Sequence, residues 1–168
     1  MKVTLSRLHE VFDYKDGNLI WKIDKSRRAK AGDIAGSLNK LGYIEIGVDR
    51  RIYKAHRLIY FYHNGHLPLS IDHIDGNKSN NKIANLRSAT TSQNAMNRKI
   101  SIKNSSGIKG VVWHKRDKKW VVQVKVNSKY QSFGYYEDKE LAELVAIEAT
   151  NKLHKEFSAY KGVLNGTT

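Results

Sequence analysis

One stretch, Ile71 to Arg87, constrains this chain more than any other. It sets an adjacent carboxylate and imidazole (Asp72-His73) before an Asp75-Gly76-Asn77 turn. An Asn80-Asn81 loop and a second strand-like piece, Asn85-Leu86-Arg87, follow. Beyond them a short helix, capped by Thr90 or Thr91, carries Asn94 one turn in. Strand, turn, loop, strand and helix in this order supply the parts needed to hold one divalent metal beside one general base. The chain has a formal net charge of +14, so the natural substrate of such a site is a phosphodiester.

Charge and composition narrow the classes further. Thirty Lys and Arg stand against sixteen acids, an excess that concentrates polyanions around the molecule and speeds encounter with them. Nucleic acid is the first reading and acidic membrane a weaker one, because no basic amphipathic helix with a bulky apolar face is present. No apolar run approaches the roughly 20 residues that span a bilayer. There are no cysteines, which excludes disulfides and thiolate zinc sites and fits a reducing compartment. Met1-Lys2-Val3-Thr4 leads directly into a helical pattern, so no signal peptide is expected. The expected location is cytoplasmic, in a bacterial host if the gene is carried by a phage.

The pattern along 168 residues predicts an α+β chain of two domains. Residues 4–14 read as a helix with Leu5, Leu8, Val11 and Phe12 on one face. Strands follow at 18–22, 42–48 and 52–55, the last two joined by a turn at Asp49-Arg50-Arg51. A helix over 56–64 is closed by Pro68, the only proline. These elements and the 71–98 segment make a first domain over residues 1–100. A polar linker at 101–106 leads to a second domain, 107–160, and 161–168 form a frayed tail. In the second domain, strands at 108–114, 119–127 and 130–136 precede a helix over 138–157. That helix carries Ala142, Val145, Ala146, Ala149, Leu153 and Phe157 on one face. Trp120, Val122, Val124 and Val126 point toward it, and Lys119, Gln123 and Lys125 point away. A basic sheet backed by an acidic helix indicates which face meets a polyanion.

The chemistry of phosphodiester hydrolysis explains why these residue types belong together. Attack brings charge onto an anionic phosphate, so a base, a cation and help for the leaving oxygen are needed. Asp72 is a hard oxygen ligand suited to magnesium or manganese. Asn85 can accept a hydrogen bond from the His73 imidazole and fix its tautomer. The Asn94 carbonyl oxygen is a second ligand candidate. Taken singly, each has a bland alternative: a turn, a helix cap, a satisfied core histidine. Their combination, in this order and spacing, carries the weight.

Asp72-His73, Asp75-Gly76-Asn77, Asn80-Asn81, Asn85-Leu86-Arg87 and Asn94, with the upstream His56-Arg57-Leu58, resemble the HNH nucleases over residues 54–98. The nearest variant is the H-N-N type of phage and intron-encoded homing endonucleases. The resemblance implies a ββα-metal fold in which a two-stranded ribbon and a helix clasp one divalent metal. By it His73 is the general base, Asp72 and Asn94 hold Mg²⁺ or Mn²⁺, and Asn85 orients His73. Asn stands where the colicin-type branch has a third His, and the zinc cysteines of other branches are missing, which argues against zinc. His56 is a second candidate for chemistry beside a structural role.

Ser106-Gly107-Ile108-Lys109-Gly110-Val111-Val112-Trp113, Lys119 to Val124 and Phe133-Gly134-Tyr135-Tyr136 resemble the Apetala-two (ethylene-response-factor) DNA-binding domain over residues 105–158. That resemblance implies a three-stranded antiparallel sheet laid in the major groove. Its outward positions here are Lys109, His114, Arg116, Gln123, Lys125 and Tyr130. Arg27, Arg28, Lys30, Arg50 and Arg51 either extend the footprint along the duplex or are solvated turns. The expectation is a metal-dependent endonuclease of the homing class acting on double-stranded DNA. It would work as a monomer that nicks, or as a dimer, with no membrane and no disulfide-linked partner. The rivals are a non-catalytic DNA-binding regulator and an RNA-binding accessory protein, the latter favoured by aromatics on an exposed sheet.

Overall fold

The computed structural model describes residues 3–97, 100 and 104–160. They form a mixed α and β architecture of small antiparallel sheets in two compact units, Met1–Ala89 and Thr90–Thr168. The expected first domain runs to residue 100, whereas the first compact unit ends at Ala89, so the short helix carrying Asn94 belongs to the second.

The first unit opens with α1 (Leu5–Val11), whose start is capped by the Thr4 hydroxyl accepting from the Arg7 amide at 3.1 Å. The helix is shorter than the 4–14 expected. Phe12–Lys15 leaves it to become β1, paired antiparallel with β2 (Asn18–Trp21) from Phe12↔Trp21 to Lys15↔Asn18. The connecting residues explain the switch. Asp16 and Gly17 have φ of 48° and 88°, the paired left-handed conformation of a two-residue hairpin turn. Pairing also buries Phe12, Leu19 and Trp21 on one side. Tertiary pairing therefore overrides the local helical pattern.

β3 (Ser37–Leu38), β4 (Ile44–Val48) and β5 (Arg51–Lys54) form the second sheet. The β4–β5 turn holds Asp49 and Arg50 at φ of 47° and 60°. The chain then enters α2 (Ala55–Asn64). Pro68 does not close α2. Gly65 does, as a left-handed C-cap at φ 69° whose amide donates to the Phe61 carbonyl at 2.9 Å. β6 (Ser70–His73) and β7 (Leu86–Ala89) make a two-stranded ribbon in the register Ser70↔Ala89 to His73↔Leu86. A 3-10 turn at Ile83–Asn85 feeds β7. One core joins these pieces: Leu8, Phe12, Leu19, Ile46, Leu58, Ile59, Ile71 and Leu86 are all buried in it.

The second unit begins with α3 (Thr91–Met96), closed at its start by a reciprocal capping box between Thr90 and Gln93. Thr90, not Thr91, is the cap. Residues 104–106 of the expected linker are tied into this unit. The Asn104 side-chain oxygen accepts from the Ser106 and Gly107 amides, and the buried Ser106 hydroxyl bonds the Ile108 and Val111 carbonyls. The remainder of that linker, 101–103, and the tail at 161–168 lie outside the described residues.

β8 (Val111–His114), β9 (Lys119–Val126) and β10 (Lys129–Tyr136) form a three-stranded antiparallel sheet with β9 central. Asn127 and Ser128, at φ of 49° and 67°, make the β9–β10 turn. Gly110 lies so close to β9 that a Cβ there would come within 2.9 Å of the Gln123 carbonyl oxygen. One face of the sheet packs Val111 and Val122 against Ala142 and Ala146 of α4 (Lys139–His154). The small alanines let the helix approach closely. Trp120 and Val122 pack on this core as expected. The other face also buries one residue: Val121 is 4% exposed although it alternates with Trp120 and Val122. The helix buries Ile147, Thr150 and His154 beyond the residues the pattern picks out.

Candidate active site and nucleic-acid surface

The ribbon register fixes the first relationship at the site. Asp72 stands directly across from Arg87. The guanidinium grips one carboxylate oxygen twice, Nη2 at 2.6 Å and Nε at 2.9 Å from Oδ2. Asp72 is 4% exposed and its neighbour His73 is 6% exposed. A buried carboxylate is tolerated only with a partner of this quality.

His73 Nε2 lies 3.1 Å from Oδ1 of Asn81, itself 3% exposed. An amide oxygen only accepts, so Nε2 carries the proton, and in the neutral ring Nδ1 is the basic nitrogen. This corrects the expected pairing of His73 with Asn85. The Asn85 side chain is committed elsewhere. Its Oδ1 accepts from the Asp75 amide at 3.1 Å, and its Nδ2 donates to Asp75 Oδ1 at 3.0 Å and to the Asn80 carbonyl at 2.8 Å. Asn85 thus clamps the two ends of the loop, and Asn81, on the loop's inner side, reaches the imidazole. Asp75 is the hub of that clamp. Burial acts to raise its pKa, but hydrogen bonds from Asn80, the Asn77 amide and Asn85 prevail and hold it below the usual carboxylate range.

The loop is also propped from the N-terminal hairpin. The Tyr14 hydroxyl accepts from the Ile83 amide at 3.0 Å. Gly17 packs against the loop backbone so tightly that a Cβ there would sit 2.8 Å from the Lys82 nitrogen and 3.1 Å from the Asn81 carbonyl carbon. Glycine is required here for space as well as for its φ of 88°.

Aromatic and imidazole rings close the other side. His56 meets His73 edge to face at a centroid distance of 5.0 Å, and Tyr43 lies 5.4 Å from His56 and 6.3 Å from His73. Burial, reinforced by the charges of His73, Lys54 and Arg57, pushes the His56 pKa down to about 3. His56 is therefore a neutral packing ring at ordinary pH. The ammonium groups of Lys54 and Lys78 lie over the Tyr43 ring, 4.2 and 4.9 Å from its centroid.

Among the described residues no group of three His, Asp or Glu could enclose a metal ion. An ion that is bound through one or two carboxylates and completed by substrate phosphate oxygens and water needs no such cage. Asp72 has the oxygen chemistry that suits a hard cation, with its Oδ2 engaged by Arg87. Asn94, the second ligand implied by the HNH resemblance, lies on α3 in the second unit, where its amide donates to the Thr90 carbonyl at 2.9 Å.

In the second unit the structure gathers four of the six expected contact residues and separates two. Lys109, Gln123, Lys125 and Tyr130 line one cleft of about 710 Å³, with His154 and residues of α3 on its walls. Lys109 differs from the outward cation expected, because its ammonium donates to the Met96 carbonyl at the end of α3. Lys125 and Tyr130 are cross-strand neighbours, with the ammonium 5.3 Å from the ring centroid. His114 and Arg116 sit instead at the far end of β8, both beside Asp117 at 3.2 and 2.9 Å. The outward face also shows Tyr135, which the sequence pattern does not single out. It is 53% exposed and stands 6.0 Å from the His114 ring. Arg27, Arg28, Arg50 and Arg51 are exposed at turns of the first unit, whereas Lys30 is paired with Asp24 at 2.7 Å.

Sequence reasoning misses four participants: Asn81, Tyr43, Lys54 and Lys78. Asn81 falls within the Asn80-Asn81 pair, but linear spacing cannot tell which asparagine reaches the imidazole. Tyr43, just ahead of β4, and Lys54, at the end of β5, are far from the ribbon in sequence, and only the tertiary fold brings them to it.

Comparison with known proteins matches residues 53–96 to the HNH endonuclease family. Protein 3.8 of Escherichia phage T7 is 34% identical over 119 residues, covering 67% of this chain and 96% of that protein. No solved structure matches at a significant level. No helix among the described residues is long and apolar enough to cross a membrane.

Proposed function

We propose, from a chain that belongs to one family with Protein 3.8 of phage T7 and carries an HNH endonuclease domain, a metal-dependent DNA endonuclease with His73 as its general base. The observation that carries the reading is the His73–Asn81 contact beside the buried Asp72. It presents an imidazole, oriented by a buried amide, next to a carboxylate suited to a hard cation.

In this mechanism His73 Nδ1 takes the proton of an attacking water. The water oxygen bonds to phosphorus as the P–O ester bond on the opposite side breaks. Asn81 holds the ring in the required tautomer and steadies the imidazolium that forms. Asp72 would hold the divalent cation, Mg²⁺ or Mn²⁺. When bound, the cation neutralises charge on the phosphoryl and leaving oxygens. Arg87 offsets the Asp72 charge and orients the carboxylate. One such centre attacks one strand, so a monomer nicks. Two strands require a dimer or two events. The homing class is the activity the resemblance favours.

The second unit adds a tethered duplex-binding surface through Lys125, Tyr130, Gln123, His114 and Arg116. A second attachment raises the effective concentration of DNA at the site. The net charge of +14 supports the same reading.

The decisive experiment incubates supercoiled plasmid with wild type and His73→Ala in magnesium, manganese and EDTA. The expected result is metal-dependent open circle from wild type, lost in the variant while its gel shift persists. Equal cleavage by the variant overturns the base assignment. Binding without cleavage by wild type in either metal supports a non-catalytic regulator instead.

A further inference from the structure

Lys54 and Lys78 reach one aromatic ring from two distant parts of the chain. Lys54 ends β5, and Lys78 sits in the loop between the ribbon strands. Both ammonium groups lie over Tyr43, at 4.2 and 4.9 Å from its centroid. The ring in turn packs beside His56 and His73. Among the described residues neither lysine has a carboxylate within ion-pair distance. Lys78 is held additionally by donating to the Leu41 carbonyl at 3.0 Å. Glu45, across the ladder from Lys54, accepts from Asn39 and makes no ion pair with the lysine, and two like charges gathered without an ion-paired carboxylate repel each other unless an anion joins them. Cation–π contact with Tyr43 holds them in place meanwhile.

We infer that Lys54 and Lys78, seated on Tyr43, grip backbone phosphates next to the scissile bond and so place the strand against His73. The common ring centroid keeps the two ammonium groups within about 9 Å, the span of a few phosphates along one strand at about 3.4 Å of axis per charge. Tyr43 is a positioning residue, acting through the two lysines. The inference rests on the endonuclease reading of the first unit and adds its backbone-binding residues.

The test separates the two ideas. Affinity of full-length protein for a short labelled duplex is measured in EDTA across a salt series, and steady-state nicking of plasmid is measured in magnesium. The variants are K54Q/K78Q, Y43F, Y43L and the control K152Q, an exposed lysine of α4. Thermal melting checks that each folds.

K54Q/K78Q should lower the salt slope by about 2, one for each phosphate no longer neutralised. Its KM should rise about 10-fold at low salt while kcat stays within about twofold, because its loss is in binding rather than in the reacting groups. Y43F, which keeps the ring, should match wild type. Y43L should shift toward the double variant, and K152Q should leave slope and KM unchanged. A folded K54Q/K78Q with the wild-type salt slope overturns the grip, whether or not the protein cleaves. A reduced slope with no nicking by wild type sustains the grip on DNA and overturns the endonuclease reading. An equal loss from Y43F and Y43L overturns the assigned role of the ring.

Discussion

Oδ1 of Asn81 lies 3.1 Å from Nε2 of His73, and both side chains are buried. This pair decides the protonation pattern of the imidazole. The residue expected in that role, Asn85, instead locks the loop that carries Asn81. The two asparagines therefore predict different phenotypes.

Asn81→Ala should leave a folded protein with kcat reduced about 10- to 100-fold, the usual cost of losing a residue that orients a functional imidazole. Asn85→Ala should mainly lower stability, by about 1–3 kcal/mol, as its loop hydrogen bonds disappear. Plasmid nicking and urea denaturation of both variants check the split. Equal kcat losses at unchanged stability would show that the two residues share one role.

Gly17→Ala should destabilise the first unit and reduce nicking together. The added Cβ meets backbone, not a flexible side chain, at 2.8 Å, and the residue sits at φ 88°. A cost of about 1–3 kcal/mol is expected from a residue forced into this conformation. Thermal melting read beside activity checks it. A variant with wild-type melting and activity would remove the hairpin as a prop for the loop.

Arg87→Ala leaves the buried Asp72 carboxylate without its main counter-charge. Loss of one partner from a buried pair costs about 3–5 kcal/mol. The expected signature is a large drop in melting temperature in EDTA that magnesium partly restores, because a cation can take over the neutralising role. If added magnesium leaves the variant's melting unchanged, Asp72 is not a cation ligand.

His56 gives the acid limb of stability a defined sign. Burial first, and the neighbouring charges second, lower its folded pKa to about 3 from 6.5. The unfolded chain therefore takes up a proton between those values that the folded chain does not. The stabilisation is complete above pH 6.5 and is lost as pH falls toward 3. At pH 5 the loss is about 2 kcal/mol at 1.36 kcal/mol per unit. Urea denaturation of wild type and His56→Gln at pH 7 and pH 5 checks it. The variant's loss on acidification should be smaller by that amount.

Lys125→Gln and Tyr130→Ala in the second unit should act on binding only. The lysine change should lower the salt slope by about 1, and the tyrosine change should weaken affinity with the slope unchanged. Salt-dependent anisotropy with duplex DNA checks both. Wild-type affinity in the double variant would remove this face from the DNA interface.

Much of this is legible from sequence because it depends on neighbours in the chain. Strand alternation, the paired turns at Asp49-Arg50 and Asn127-Ser128, a threonine cap at 90 or 91 and the Asp72-His73 pair are local features. What escapes depends on distance. Phe12 to Lys15 continue a helical pattern but are captured by β2, a gain visible only once Trp21 and Leu19 are in place. Asn81 stays silent in the sequence because spacing along a loop does not say which side chain points inward. Tyr43, just ahead of β4, and Lys54, at the end of β5, reach the site from elsewhere in the fold. Lys109 has the alternation of an outward cation, yet its ammonium holds the end of α3.

The match to known HNH domains begins at residue 53, yet the loop bearing Asn81 leans on Tyr14 and Gly17. The motif is therefore not a portable cassette. A graft of residues 53–96 onto another scaffold would carry the base and its carboxylate neighbour but leave their loop unsupported. Any minimal nuclease cut from this chain has to bring the N-terminal hairpin with it. Residues 12–21 and the loop are thus two segments in which substitutions should compensate one another.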